Sequence, residues 1–80
     1  MHRHIRAQDD IERAGNISLR VHDVGGRLVR ILDETYRAAG SYEVGWNGQN
    51  DRGQSVASGI YFYRLIAPGF TQARKMILLK

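Results

Sequence analysis

The sequence has 80 residues and no cysteine, which excludes a disulfide framework and any thiolate zinc centre. It has a single proline, Pro68, set beside Gly69 as the central residues of a type II turn require. Its apolar runs fall far short of the roughly 18 residues of a membrane span, and Met1-His2-Arg3-His4 has no apolar segment behind it to act as a signal peptide. No Gly-Lys-Ser or Gly-Lys-Thr phosphate loop occurs. None of Ser18, Ser41, Ser55 or Ser58 sits in a nucleophile-elbow sequence, and the carboxylate pairs Asp9-Asp10 and Asp33-Glu34 are consecutive and fall where loops are expected. The chain therefore reads as a non-enzyme with no catalytic residue, no cofactor and no membrane span.

Net charge is +4, which raises nucleic acid or an acidic surface as a partner. The distribution argues against nucleic acid. Arg20, Arg27, Arg30, Arg37, Arg52, Arg64 and Arg74 are scattered singly, mostly at the alternate positions of a solvated sheet face. A chain of this length sets a prior of one domain, which buries only about 60–65% of its unfolded surface. At roughly 0.05–0.15 kcal/mol per residue its stability is about 4–12 kcal/mol.

What the sequence does have is alternation. Ile17, Leu19 and Val21 alternate with Ser18, Arg20 and His22, and Tyr42, Val44 and Trp46 alternate with Ser41, Glu43 and Gly45. Each pattern predicts a strand with one buried face. Asp23-Val24-Gly25-Gly26 predicts a hairpin turn into a returning strand, Arg27 to Leu32. There Val29 and Ile31 fall on one face, Leu28 and Leu32 on the other, so the buried face stays open. Asp33 to Gly40 reads as a polar connection and Asn47 to Ser55 as consecutive tight turns. Val56 to Ser58 reads as a brief pairing segment before the aromatic strand from Ile60 to Ile66. The last strand, Thr71 to Leu79, ends in Met76-Ile77-Leu78-Leu79, which points to burial on both faces or to pairing with something else. Residues 1–15 form an N-terminal lead-in, either an edge strand around Arg3 to Ala7 or a mobile segment, before a sandwich over residues 16–80.

Three constellations invite chemistry. Asn47, Asn50 and Asp51 offer oxygen ligands to calcium, but with one carboxylate they are expected to serve turn geometry instead. His2 and His4 share one side of an extended segment, with His22 the third histidine, and form no preorganised metal site. Tyr42, Trp46, Tyr61, Phe62 and Tyr63 suit either a glycan-stacking platform or a core. Alternation puts Phe62 on the face opposite Tyr61 and Tyr63, and so makes it a surface contact candidate.

Four stretches in order carry a resemblance: Ser18 to Val29, Ala39 to Gly48, Asp51-Arg52-Gly53 with Val56 to Leu65, and Arg74 to Lys80. Together they resemble the immunoglobulin-like domain of the flagellar hook assembly (hook-cap) protein family, and equally the C-terminal sorting modules of type IX (Por) secretion substrates. The resemblance implies an all-β fold, a small immunoglobulin-like antiparallel β-sandwich of about six to seven strands. It implies Gly26, Arg27, Trp46, Gly48, Gly53, Gly59, Tyr61 and Leu65 as framework. It makes Lys75, Met76, Ile77, Leu78, Leu79 and Lys80 a recognition strand, with Phe62 as a further contact. Members lead in with a strand closed by Leu-Pro before a glycine, where this chain has Ile11-Glu12-Arg13-Ala14-Gly15. The expectation drawn from the resemblance is a sorting or surface-attachment module of a secreted bacterial protein, located outside the cytoplasm. Its partners would be secretion machinery or other copies of the chain, meeting through open strand edges. The alternatives are a scaffold domain of a flagellar hook cap and an accessory glycan-binding module.

Overall fold

The computed structural model describes the backbone of residues 5–79 and the side chains of residues 8–79. His2, His4 and Lys80, named above as candidates, lie outside the described residues. The described residues form six strands and no helix: β1 (Ile5–Ile11), β2 (Gly15–Asp23), β3 (Leu28–Arg37), β4 (Gly40–Trp46), β5 (Gly59–Ala67) and β6 (Phe70–Leu78). They make an immunoglobulin-like sandwich of two antiparallel sheets, β1-β4 facing β3-β2-β5-β6.

Period-two alternation builds the core. Ile17, Leu19 and Val21 of β2 and Tyr61, Tyr63 and Leu65 of β5 are buried on one face, and register sets Leu19 against Leu65 and Val21 against Tyr63. Met76 and Leu78 of β6 join them, and the two-stranded sheet contributes Ile11 and Trp46 from above. The terminal apolar run is thus split by the pleat, since Ile77 and Leu79 are exposed. Burial is on one face of β6, not both.

β3 is the element that alternation leaves ambiguous, and bulges explain why. Leu19 pairs with Asp33 and Arg20 with Ile31, which leaves Leu32 without a partner; Val21 pairs with Arg30 and His22 with Leu28, which leaves Val29 without one. Both of these extra residues pack against the core. Each bulge shifts the pleat by one residue, so one face can bury two residues of opposite parity. β3 also runs on to Arg37 through the stretch expected to be a connection. Its polar end is held by pairs, Arg20 donating to Glu34 at 2.7 Å and Arg37 to Asp33 at 2.6 Å, while the Arg37 guanidinium lies 5.3 Å from the Tyr42 ring of β4. Val56 to Ser58 forms no strand, and an isolated bridge joins Gln49 to Ser55 instead.

β1 lies within the segment read as lead-in and carries the Asp9-Asp10 pair that was expected in a loop. Consecutive strand positions send the two carboxylates to opposite faces. Asp10 is exposed and accepts from Ser41 Oγ at 2.6 Å, whereas Asp9 faces inward and is 1% exposed.

One turn is built twice. In Asp23 to Arg27, Asp23 Oδ1 accepts from the amides of Gly25 and Arg27, the Gly26 amide donates to Asp23 O, and Gly26 takes φ +86°. In Asn50 to Gln54, Asn50 Oδ1 accepts from the amides of Arg52 and Gln54, the Gly53 amide donates to Asn50 O, and Gly53 takes φ +76°. An Asx residue first and a glycine fourth, in the left-handed region, are what this loop demands.

Candidate functional site

The Asn47 to Ser55 loop is occupied by its own structure. Asn47 Oδ1 accepts from the Gln49 amide, Asn50 Oδ1 serves the turn just described, and Asp51 Oδ1 accepts from the Ile31 amide at 3.1 Å. The Asp51 amide donates in turn to Val29 O at 3.3 Å. Asp51 thus caps the bulged edge of β3 and leaves no set of oxygens converging on a cation. Among the described residues no group of three or more His, Cys, Asp or Glu side chains is placed to hold a metal. His22 Nδ1 lies 3.2 Å from Gly26 O, within its own hairpin.

The framework candidates sit where packing or turn geometry is demanding. Trp46 is 1% exposed, donates Nε1–H to Gln49 O at 2.9 Å and meets Tyr61 edge-on at 5.1 Å between centroids. Tyr61 OH donates to Ala57 O at 2.6 Å, and Leu65 is fully buried. Gly48 is buried with φ +76°, and a Cβ there would meet Leu78 side-chain carbons at 3.3 and 3.4 Å. Gly26 and Gly53 hold the paired turns, Arg27 Nε bonds Asp23 at 3.0 Å, and Gly59 opens β5. The Arg27 amide, with help from the Arg27 side chain, holds the Asp23 carboxyl below its ordinary range.

These positions dismantle the glycan platform, because Trp46, Tyr61 and Tyr63 are core. Phe62 remains on the outer face of the four-stranded sheet, 36% exposed, and register builds that face in rows. His22, Phe62 and Lys75 lie side by side, as do Arg20, Arg64 and Ala73, and Ile60 lies beside Ile77. Ile77 is 60% exposed with Ile60 exposed beside it, and Ile66 is exposed at the other end of β5, opposite Thr71. Among the described residues Arg64 and Lys75 form no ion pair, and the acids beside these rows are engaged elsewhere, Glu34 with Arg20 and Asp23 with Arg27. A shallow groove of about 520 Å³ runs from Val24 and His22 past Phe62 to Thr71 and Ala73. Of the recognition candidates, Lys75, Ile77, Leu79 and Phe62 are presented to solvent, while Met76 and Leu78 are buried. Such an apolar face rimmed by cations can contact another protein.

The charged group that the sequence places in a loop and the structure places inside is Asp9. Both of its carboxylate oxygens lack a hydrogen-bond partner, as does the buried hydroxyl of Tyr63. Burial pushes the Asp9 carboxyl above its ordinary range; nearby Arg74 draws it back and Asp10 adds to the rise. Its signal in sequence is an acid at an inward position, two residues before Ile11 in a β1 register.

Comparison with known proteins bears on the whole. A family model described as the FlgD Ig-like domain matches residues 10–67. Among solved structures the chain is similar to FLGD from P. aeruginosa, with a TM-score of 0.73 and 23% identity over 95% of this chain. The chain spans 61% of that structure's length. No curated protein matches it. The matched family is the FlgD Ig-like domain and not a sorting module, which leaves the sorting reading without support and overturns the secreted or cell-surface location drawn from it. Among the described residues no helix is long and apolar enough to cross a membrane.

Proposed function

The chain belongs to the FlgD Ig-like domain family, and from that premise we propose that it is a non-catalytic scaffold domain of flagellar hook assembly, working through protein–protein contact. The observation that carries this reading is the family match across residues 10–67, most of the sandwich. The exposed outer face of β5 and β6 supports it. Phe62, Lys75, Ile77 and Leu79 supply the contact, and Gly26, Arg27, Trp46, Gly48, Gly53, Gly59, Tyr61 and Leu65 hold that face in shape. In this reading residues 16–80 form the body of the domain, and residues 1–15 complete it through β1.

The test is replacement. The Ig-like domain of a flagellar hook assembly protein is exchanged for residues 1–80 in a motile host, and hooks are counted by electron microscopy. The exchange should preserve hook formation, and the same exchange carrying Phe62→Asp and Ile77→Asp should abolish it while the isolated variant keeps its tryptophan fluorescence. Hooks formed equally well with the doubly charged face would refute the contact surface; no hooks with the unaltered domain would refute the scaffold role.

A further inference from the structure

The sandwich has four strand edges, and they are treated unequally. Asp51 caps β3, and the loop that carries it follows directly from β4. The edges of β1 and β6 lie one above the other on the opposite flank. Asp10 and Ile11 of β1 line one groove, of about 310 Å³, with Gln72 and Arg74 of β6. Among the described residues no strand pairs with either edge. The two-residue Pro68-Gly69 hairpin closes on the bonded pair Ala67–Phe70, so the backbone groups of Thr71, Ala73, Lys75 and Ile77 point to the open side of β6.

The two edges are complementary in charge and in direction. β1 carries two acids, Asp9 and Asp10, to one arginine, Arg6, and is followed by Glu12-Arg13, whereas β6 carries Arg74 and Lys75 with no acid. Ile11 ends β1 beside Pro68, at the end of the sandwich where β6 begins, so the two strands run in opposite senses. Among the described residues three of the four buried side-chain atoms without partners lie on β1 and β5, and the fourth, Arg30 Nε, is on β3. Neither Asp9 oxygen nor the Tyr63 hydroxyl is bonded, and Tyr63 stands opposite Arg74 in the β5–β6 register.

We propose that a second copy of this chain closes both edges at once, β6 of each copy pairing antiparallel with β1 of the other. The two-fold axis runs along the strands, midway between the two layers. It carries β6 into the layer of β1 and preserves strand direction, so the opposed senses of β1 and β6 within one chain become antiparallel pairing between chains. Asp9 then faces Arg74 of the second copy on the inner side, Asp10 stands opposite its Ala73, and each layer becomes a continuous six-stranded sheet. The alternative like-with-like pairing of β6 edges sets Arg74 and Lys75 against their own copies. An isologous contact of this kind consumes its own edges and stops at two chains. The inference rests on the edges alone and is independent of the proposed role.

The absence of cysteine makes the test direct. In Asp10→Cys/Ala73→Cys the two thiols lie on the outward faces of opposite layers within one chain and cannot bond each other there. Across the proposed pair they are directly opposite, with Cα atoms roughly 5 Å apart, inside disulfide range. Mild oxidation should give a covalent dimer, and neither single variant should. No dimer, or a ladder of larger species, overturns the proposal. Sedimentation equilibrium of the unaltered chain should find a dimer; a monomer at millimolar concentration overturns it. Ala73→Pro removes one outward amide at an edge position that tolerates proline, and should leave a monomer with unchanged Trp46 fluorescence. Arg74→Glu, exposed and outside the core, should weaken association by roughly tenfold or more, the scale of one charge-assisted contact. Association unaltered in a folded Ala73→Pro or in Arg74→Glu overturns the pairing.

Discussion

Replacing Asp9 by asparagine should stabilise the single chain at neutral pH. Asp9 is 1% exposed and neither of its oxygens is bonded. Its carboxyl is raised above the ordinary 3.8 by burial, in spite of Arg74. A raised folded value means that the ionised form is less at home in the fold than in the unfolded chain. Asp9 therefore favours folding fully below the unfolded value, and that contribution disappears as pH rises through the folded one. Asparagine keeps the shape and never ionises. A buried unsatisfied polar group costs about 1–3 kcal/mol, and more when charged. Asparagine retains the polar part of that cost, so the gain from losing the charge is on the order of 1 kcal/mol at pH 7. In a domain of this size that corresponds to about 4–8 °C in Tm. Thermal melts followed by tryptophan fluorescence, at concentrations where light scattering finds single chains, should show the variant ahead at pH 7 and the gap closing towards pH 4. A variant that melts lower at pH 7, or a gap indifferent to pH, refutes the reasoning. In the paired form the sign reverses, because the carboxylate then has Arg74 of the second copy to answer it.

Trp46→Ala removes a buried ring that bonds Gln49 O and meets Tyr61 edge-on. The loss of about 3–5 kcal/mol, set against a total of about 4–12, should leave the chain largely unfolded by circular dichroism; a urea midpoint near that of the parent would contradict it. Asp51→Ala removes the acceptor of the Ile31 amide, so the chain should lose about 1 kcal/mol and exchange the Ile31 amide hydrogen faster, and unchanged protection there would sink the capping role. Asp23, held below its ordinary range first by the Arg27 amide, contributes stability above pH 4 that is lost as pH falls through its folded value. Asp23→Asn should flatten the acid limb of stability between pH 5 and 2, measured as urea midpoints, and an unaltered limb would mean that the turn tolerates protonation.

The strands that alternate strictly were legible because one face is core and the other water. β2, β4 and β5 obey that rule through Ile17-Leu19-Val21, Tyr42-Val44-Trp46 and Tyr61-Tyr63-Leu65. β3 was not fully legible, because bulges at Val29 and Leu32 break the parity that alternation depends on. Its polar half, Asp33 to Arg37, resembles a loop in composition and is kept extended by Arg20 and Arg37, partners that no local pattern reveals. β1 was obscured by two acids in succession, one of which points at the core. The surface position of Phe62 followed from period two alone. The orphaned Asp9 did not, since its significance depends on what faces it from β5 and β6. The sorting reading failed for a different reason: motifs shared between families specify a sandwich frame, and the frame does not distinguish the jobs that different families assign to it.

The unequal treatment of the edges ties these observations together. A small sandwich with exposed strand edges risks indiscriminate pairing, and the usual remedies are bulges, charges and covering loops. β3 has all three: two bulges, a charged end, and Asp51 bound across its amide and carbonyl. β6 has none of the bulges, and its register with β5 is unbroken from Gly59–Leu78 to Ala67–Phe70. β1 is likewise regular against β4. Straight, regular edges keep their amides and carbonyls in line for a partner, whereas bulged ones do not. Charge then decides which partner, because β6 offers cations and β1 offers acids, one of them already stripped of water. A protein under selection only to remain single would gain from a lysine at Asp9 or a bulge in β6. A buried, unbonded carboxylate at the open edge of β1, within electrostatic reach of Arg74 on β6, is the arrangement expected of an edge that is meant to be used.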